Sequence, residues 1–286
     1  MKSAIGFPIP GSAAAPDIKN LLTAQRRERI AELITRDGAA RVNDLSRLFA
    51  VSEVTIRADL DAMAKSGLLV RDHGGAIANA HTSLAVAFEQ RALHRREVKR
   101  RIGAAAAQLV RPGDTIIVDA GTTAMAMAKA LTVAGPLTVV TNALNVAAEI
   151  GSRPEVNIIL AGGSLSRETI STLGSIAERT IAGLIVDKLF LGAHAIDAQK
   201  GVVDVSVEGA RVKAAMIQAA RRVYLMADSS KWERTALALV APLSEIHTLI
   251  CDDGLPAYAR EALASHNVEL IEVPGAIREP IYESEA

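Results

Sequence analysis

The chain has 286 residues, enough for about two domains of ordinary size. Half are apolar and only 3% aromatic, so any core is aliphatic, and 32 basic residues against 32 acidic ones leave no global positive field to hold a polyanion. The single cysteine, Cys251, excludes an intramolecular disulfide framework and fits a reducing compartment, and no apolar run is long enough to span a bilayer.

Residues 1–22 are rich in Ala, Pro, Gly and Ser. Pro8, Pro10 and Gly11 interrupt what would be the apolar core of a secretory signal, so this segment reads as a disordered arm. From 25 to 36, Ile30, Leu33 and Ile34 recur at helical spacing, and Asp37-Gly38 ends the helix. Asn43 is placed to cap a short helix carrying Leu45, Leu48 and Phe49. Ser52 caps a third, whose buried face is Ile56, Leu60 and Met63 and whose stop is Gly67. Residues 68–70 read as a short strand, Gly74-Gly75 as a tight reversal and 76–78 as the returning strand. Three helices and a hairpin at this spacing form a winged helix-turn-helix, which sets its third helix in the major groove of DNA.

Residues 79–84 read as a hinge. The run RALHRREVKRR, 91–101, has one acid among many bases. Such a run tracks phosphates or forms a solvated linker helix into the apolar segment 102–110, and the linker helix is the simpler reading. From Pro112 the pattern changes. Short apolar runs at 115–118, 137–140, 156–160, 188–192, 223–226, 248–251 and 268–271 alternate with helical stretches at 122–131, 143–150, 175–181, 208–220 and 257–264. Unalternated strands between helices predict a parallel sheet covered on both faces. Residues 274–286 read as a loose tail.

In such sheets ligands sit beyond the carboxyl ends of the strands. The residues after each run are small and polar: Asp119-Ala120-Gly121-Thr122-Thr123, Thr141-Asn142, Ala161-Gly162-Gly163-Ser164, Ala193-His194 with Asp197 nearby, and Ala227-Asp228-Ser229-Ser230-Lys231. Backbone N–H groups and helix N-termini in loops of this kind cradle anions. Lys231 is placed to bind a phosphate, with Arg167 and Lys213 as weaker candidates.

The segment RRERIAELITRDGAARVNDLSRLFAVSEVTIRADLDAMAKSGLLVRDHGGA resembles the DNA-binding domain of DeoR-type transcriptional regulators. The resemblance implies DNA contacts from Ser52, Thr55 and Arg57 on the helix and from Arg71 and His73 on the wing. Ala58 stands where the family usually has a second arginine, and the arm ahead of residue 23 is a further departure. Downstream, VDAGTTAMAMAKAL, VVTNALNVA, LAGGSLSRETISTLG, DKLFLGAHAID and LMADSSKW resemble the DeoR-type sensor domain, itself similar to ribose-5-phosphate isomerase. That resemblance implies a phosphorylated sugar or polyol effector held by Asp119, Gly121, Thr122, Thr123, Asn142, Gly162, Gly163, Asp197 and Lys231. His194 replaces a frequent Asn.

The expected protein is thus a cytoplasmic α/β regulator. Its parts are a disordered arm (1–22), a winged helix-turn-helix (23–78), a hinge and basic linker helix (79–101), a sugar-phosphate sensor domain (102–273) and a tail (274–286). Its expected partners are double-stranded operator DNA, a phosphorylated effector and further copies of itself. A sugar-phosphate isomerase is the alternative, in which a carboxylate shuttles a proton beside a carbonyl. The acidic DGADE-like segment of such enzymes reads LGAHAI here, which favours binding over turnover. With no Walker A pattern, no dinucleotide-binding glycine motif, no HExxH and six scattered histidines, neither a cofactor nor a metal is expected.

Overall fold

The computed structural model describes residues 23–37, 39–65, 68–72, 74–78, 88, 91–234 and 236–275. The expected arm, most of the expected hinge, the tail beyond residue 275, Gly38, Gly67 and His73 lie outside these. The chain divides into two compact units, residues 1–90 and 91–286.

In the first unit three helices, α1 (Thr23–Asp37), α2 (Val42–Phe49) and α3 (Glu53–Lys65), pack on a three-stranded antiparallel sheet of β1 (Ala39–Arg41), β2 (Leu69–Asp72) and β3 (Gly75–Ala78) in the order β1-β3-β2. The core collects Ile30, Ile34, Leu45, Phe49, Ile56, Leu60 and Met63, as the helical spacing required. Ser52 caps α3 as expected, its hydroxyl accepting from the Thr55 N–H at 3.1 Å. Asn43 does not cap α2. That helix begins two residues earlier, at Val42 with Arg41 as its cap, because the Val42 N–H donates to the Gly74 carbonyl at 2.9 Å and strand β1 runs straight into the helix. Gly74, at φ 83°, takes the reversal between β2 and β3, and a side chain on Gly75 would fall on the carbonyl of Ala40. The wing is therefore a three-stranded sheet. Its first strand, three residues long, is too short to show a period.

The second unit is built on a seven-stranded sheet in the order β15-β14-β12-β9-β4-β5-β6, all neighbours parallel. Its strands are β4 (Thr115–Val118), β5 (Leu137–Thr141), β6 (Val156–Leu160), β9 (Val186–Gly192), β12 (Ala220–Met226), β14 (Thr248–Asp252) and β15 (Glu269–Val273). These match the seven apolar runs. Successive residues feed opposite faces. Ile116, Val118, Val139, Phe190, Tyr224 and Ile250 pack with helices α4 (Arg96–Ala107), α5 (Thr122–Ala130) and α6 (Leu144–Ile150). Ile117, Val140, Leu189, Leu191, Leu225 and Leu249 pack with α7 (Ser175–Ala182), α8 (Val207–Ala219) and α9 (Ala257–Ser265). The sheet is thus covered on both faces. α4 approaches α5 closely at Gly103, where a Cβ would lie 2.5 Å from the Met127 nitrogen.

Two features were not legible as periods. One is a hairpin, β7 (Ser164–Ser166) with β8 (Ser171–Leu173), and the other a small antiparallel sheet of β10 (Ala195–Asp197), β11 (Gly201–Asp204) and β13 (Ala238–Ala241). The expected boundary at 101/102 falls inside α4. Within its basic stretch Val98 and Lys99 are buried, while Arg96 and Arg100 stay exposed. The tail's first residues are tied down, Pro274 accepting from Arg101 and the Gly275 N–H donating to Asp253.

Candidate functional site

On the first unit, the outward face of α3 carries Ser52, Val54, Arg57, Ala58 and Asp61. The Ser52 and Thr55 hydroxyls lie 2.9 Å apart, so both serve the helix cap before any ligand. Arg57 pairs with Glu53 at 2.6 Å, an exposed i,i+4 pair that contributes about 0.3–0.5 kcal/mol and is readily exchanged for a phosphate. Arg71 is placed differently from Arg57. Its Nε lies 2.9 Å from Asp61 on α3 and its Nη1 donates to the Gly75 carbonyl at 2.9 Å, so it fastens the wing to the helix. Beneath the exposed face Asp59, buried, accepts from Arg26 at 2.7 Å and Arg27 at 2.8 Å, which locks α1 to α3. Sequence reading missed this clamp, although Asp59 lies on the same face as Ile56 and Met63 and so signalled a buried carboxylate.

In the second unit the strand order reverses between β4 and β9, since β5 and β6 lie on one side of this pair and β12, β14 and β15 on the other. Beyond the carboxyl ends of β4 and β9 lies the crevice where such sheets bind ligands. Asp119 follows β4, is buried, and accepts from the Gly192 N–H at 3.0 Å across the switch. Lys213, on α8, donates to the Gly192 carbonyl at 3.1 Å and lies 2.9 Å from Asp204 and 3.6 Å from Asp119. Burial raises the Asp119 pKa above its usual range, partly offset by Lys213. Burial alone would lower Lys213, but the two carboxylates outweigh it and hold the ammonium protonated.

Gly121, at φ 111°, caps α5 without a side-chain acceptor, so the first N–H groups of that helix, including those of Thr122 and Thr123, have no cap. A positive helix end of this kind attracts anions. Asn142 ties the end of β5 to β8, its Nδ2 donating to the Thr172 carbonyl at 2.9 Å while its buried Oδ1 has no hydrogen-bond partner. Gly163, at φ 137°, is demanded by the close pass of the Leu173 carbonyl, and Gly162 beside it is exposed. Asp197 ends β10 and shapes its own turn. One of its oxygens accepts from the Gln199 and Lys200 N–H groups at 2.9 Å each, which fixes the turn after β10 and lowers its pKa through those hydrogen bonds.

Lys231 lies in a short 3₁₀ turn (Ser229–Glu233) after β12, and burial lowers its pKa, with Asp228 opposing and Arg234, Lys213 and Arg91 adding to the effect. Lys99, on α4, is 6% exposed and donates to the Arg91 carbonyl at 2.5 Å. Burial pushes it down to about 8, opposed by Asp228 and reinforced by Lys231, Arg91 and Arg234. His194 is also lowered, by burial and then by Lys231. Lys99 and Lys231 thus oppose one another beside a shared carboxylate, Asp228. Arg95, the residue before α4, holds this arrangement in place from a left-handed conformation (φ 50°). Its guanidinium reaches Asp228 at 3.1 Å, Ser229 at 3.0 Å and Asp252 at 2.6 Å. Sequence reading missed Lys99, Arg91 and Arg95. The available signal was that Lys99 stands three, four and seven residues ahead of Ile102, Gly103 and Ala106, on the buried face of the helix.

Among the described residues no group of three or more His, Cys, Asp and Glu side chains could hold a metal ion, and no helix is long and apolar enough to cross a membrane.

Residues 26–82 match the DeoR-like helix-turn-helix domain, and residues 94–253 match the DeoR C terminal sensor domain. The chain is 36% identical over 251 residues to a putative aga operon transcriptional repressor of Escherichia coli O157:H7, covering 87% of this chain and 93% of that one. It is 32% identical over 246 residues to the glycerol-3-phosphate regulon repressor of Escherichia coli K12, covering 86% and 97%. Among solved structures, ribose 5-phosphate isomerase A from Neisseria gonorrhoeae covers 48% of this chain and 54% of its own, at 14% identity and a TM-score of 0.34, too remote to bear on function. A winged DNA-reading unit followed by an α/β sensor unit, matched over both halves, makes this chain a member of the DeoR family of transcriptional regulators.

Proposed function

We propose that this regulator represses a sugar or polyol catabolic operon and that a phosphorylated sugar, bound beyond the carboxyl ends of β4, β9 and β12, lowers its affinity for operator DNA. In this reading Lys99 and Lys231 take the phosphate together with the open N-terminus of α5, and Asn142 and the Asp119–Lys213 pair meet the hydroxyl groups. The supporting observation is that Lys99, 6% exposed, donates to a backbone carbonyl and lies with the half-buried Lys231 beside Asp228, which Arg95 already engages. Burying a charge is expensive unless it is matched, and the buried Lys99 and the half-buried Lys231 share one carboxylate, Asp228, so an anion beside them is favoured. The names of the relatives, a glycerol-3-phosphate regulon repressor among them, point the same way. The chain acts as a dimer or larger oligomer, whose paired winged helices bind two half-sites.

A ligand regulates only through different affinities for the DNA-competent and incompetent states, and a coupling of about 1–3 kcal/mol changes operator affinity about 5- to 150-fold. The test is a thermal-shift panel of sugar and polyol phosphates with their unphosphorylated parents, run on the full chain. One phosphate raises the melting temperature, its parent sugar does not, and the same compound releases operator DNA. A parent sugar that binds as well as its phosphate contradicts the reading.

A further inference from the structure

The residues of α3 that point away from Ile56, Leu60 and Met63 are the ones a major groove would meet. At 100° per residue, Val54, Ala58 and Asp61 fall on one line along the centre of that outward face, with Arg57 on its flank. Val54 is 72% exposed, and Ala58 is exposed one turn further on. The outer face of a surface helix is ordinarily polar, yet here its centre is apolar over a full turn. The charges around it are already matched, Arg57 by Glu53 at 2.6 Å and Asp61 by Arg71 at 2.9 Å.

We infer that Val54 and Ala58 form an apolar reading pair for thymine methyl groups, and so fix A·T pairs at adjacent positions of each operator half-site. The occupant is set by the chemistry of the groove. The C5 methyl of thymine is the apolar group that a base edge presents there, and small aliphatic side chains are its natural contact. The pair is continuous with Ser52, Thr55 and Arg57 on the helix of the DNA-reading unit. Val54 brings two methyl groups, and the short side chain of Ala58 lets the helix backbone approach the bases. The inference rests on α3 being the element that enters the groove.

The test works without a known operator sequence. The full chain selects its preferred duplexes from a random library, and each thymine of the selected site is then replaced by deoxyuridine, which removes only the methyl. Fluorescence anisotropy should show about fourfold weaker binding for each contacted methyl, which corresponds to about 0.8 kcal/mol for one buried carbon. Val54→Ala should become indifferent to deoxyuridine at one thymine per half-site and keep its melting temperature. Ala58→Arg should shift the selected consensus toward guanine at the neighbouring pair. Wild-type binding that is indifferent to methyl removal at every thymine overturns the inference, as does Val54→Ala retaining the full set of penalties. Failure to enrich any duplex would instead overturn the placement of α3 in the groove, and the reading pair with it.

Discussion

In the DNA-reading unit the buried carboxylate of Asp59 is shared by two guanidinium groups at 2.7 and 2.8 Å. In the sensor unit Lys99, also buried, donates to a backbone carbonyl and has more cations than acids around it. The first arrangement is closed: every charge taken out of water finds an opposite charge within the fold, and the result is rigidity between α1 and α3. The second is open. Its charge is the one that the proposed anionic effector matches. Proteins keep destabilising arrangements where function needs them, and this contrast is the ground of the proposed anion site.

The difference predicts opposite consequences for removing a charge. Asp59→Ala should destabilise the DNA-reading unit by about 3–5 kcal/mol, because it leaves Arg26 and Arg27 without the carboxylate they share. Denaturant titration followed by loss of operator binding would show this, and an unchanged midpoint would mean that the clamp contributes little. In the sensor unit, holding Lys99 down from an ordinary 10.5 to about 8 corresponds to about 3 kcal/mol against the charged fold. Lys99→Met should therefore raise the stability of the ligand-free chain.

The sign with pH comes from proton counts. Between about 8 and 10.5 the unfolded chain holds the Lys99 proton and the folded chain has lost it, so this group makes stability rise with pH across that window. The advantage of Lys99→Met over the native chain should be full below pH 8 and vanish by about 10.5. Effector binding should run the other way, weakening as pH rises through about 8, because the anion needs the charged ammonium. A flat affinity from pH 7 to 9.5 would remove Lys99 from the site.

Arg57→Ala should weaken operator binding by about 1–3 kcal/mol with little change in melting temperature, since its pair with Glu53 is exposed. Equal affinity for operator would take Arg57 out of the interface. Lys231→Ala should abolish the effector response and leave operator affinity near the native value; a response that persists would assign the phosphate to other residues.

Much of this was legible in the sequence, and the exceptions share a cause. The apolar runs between helices were legible nearly to the residue: Thr115–Val118 and Val156–Leu160 are strands with the expected ends, and Ser52 caps α3. Strands of three residues, such as Ala39–Arg41 and Ala195–Asp197, carry too few alternations to declare themselves, and their pairing is decided by distant partners. The strand-end loops were found because parallel sheets place ligands there. Which of their polar residues are engaged within the fold was not legible, because that depends on partners distant in sequence. One oxygen of Asp197 is used by its own turn, and on the wing Arg71 is used by Gly75 and Asp61. Lys99 was hidden by its neighbours. In a run of many bases one buried lysine looks like the rest until its spacing from Ile102 and Ala106 is read as a face.

The most direct test of the open cation cluster is the melting temperature of the native chain and of Lys99→Met at pH 7, each with and without the sugar phosphate that the panel identifies. The account predicts that the variant melts higher than the native chain when ligand-free and gains little from the ligand, while the native chain gains several degrees. A variant that melts lower ligand-free and still gains as much as the native chain would contradict it, and would make Lys99 a structural lysine rather than part of an anion site.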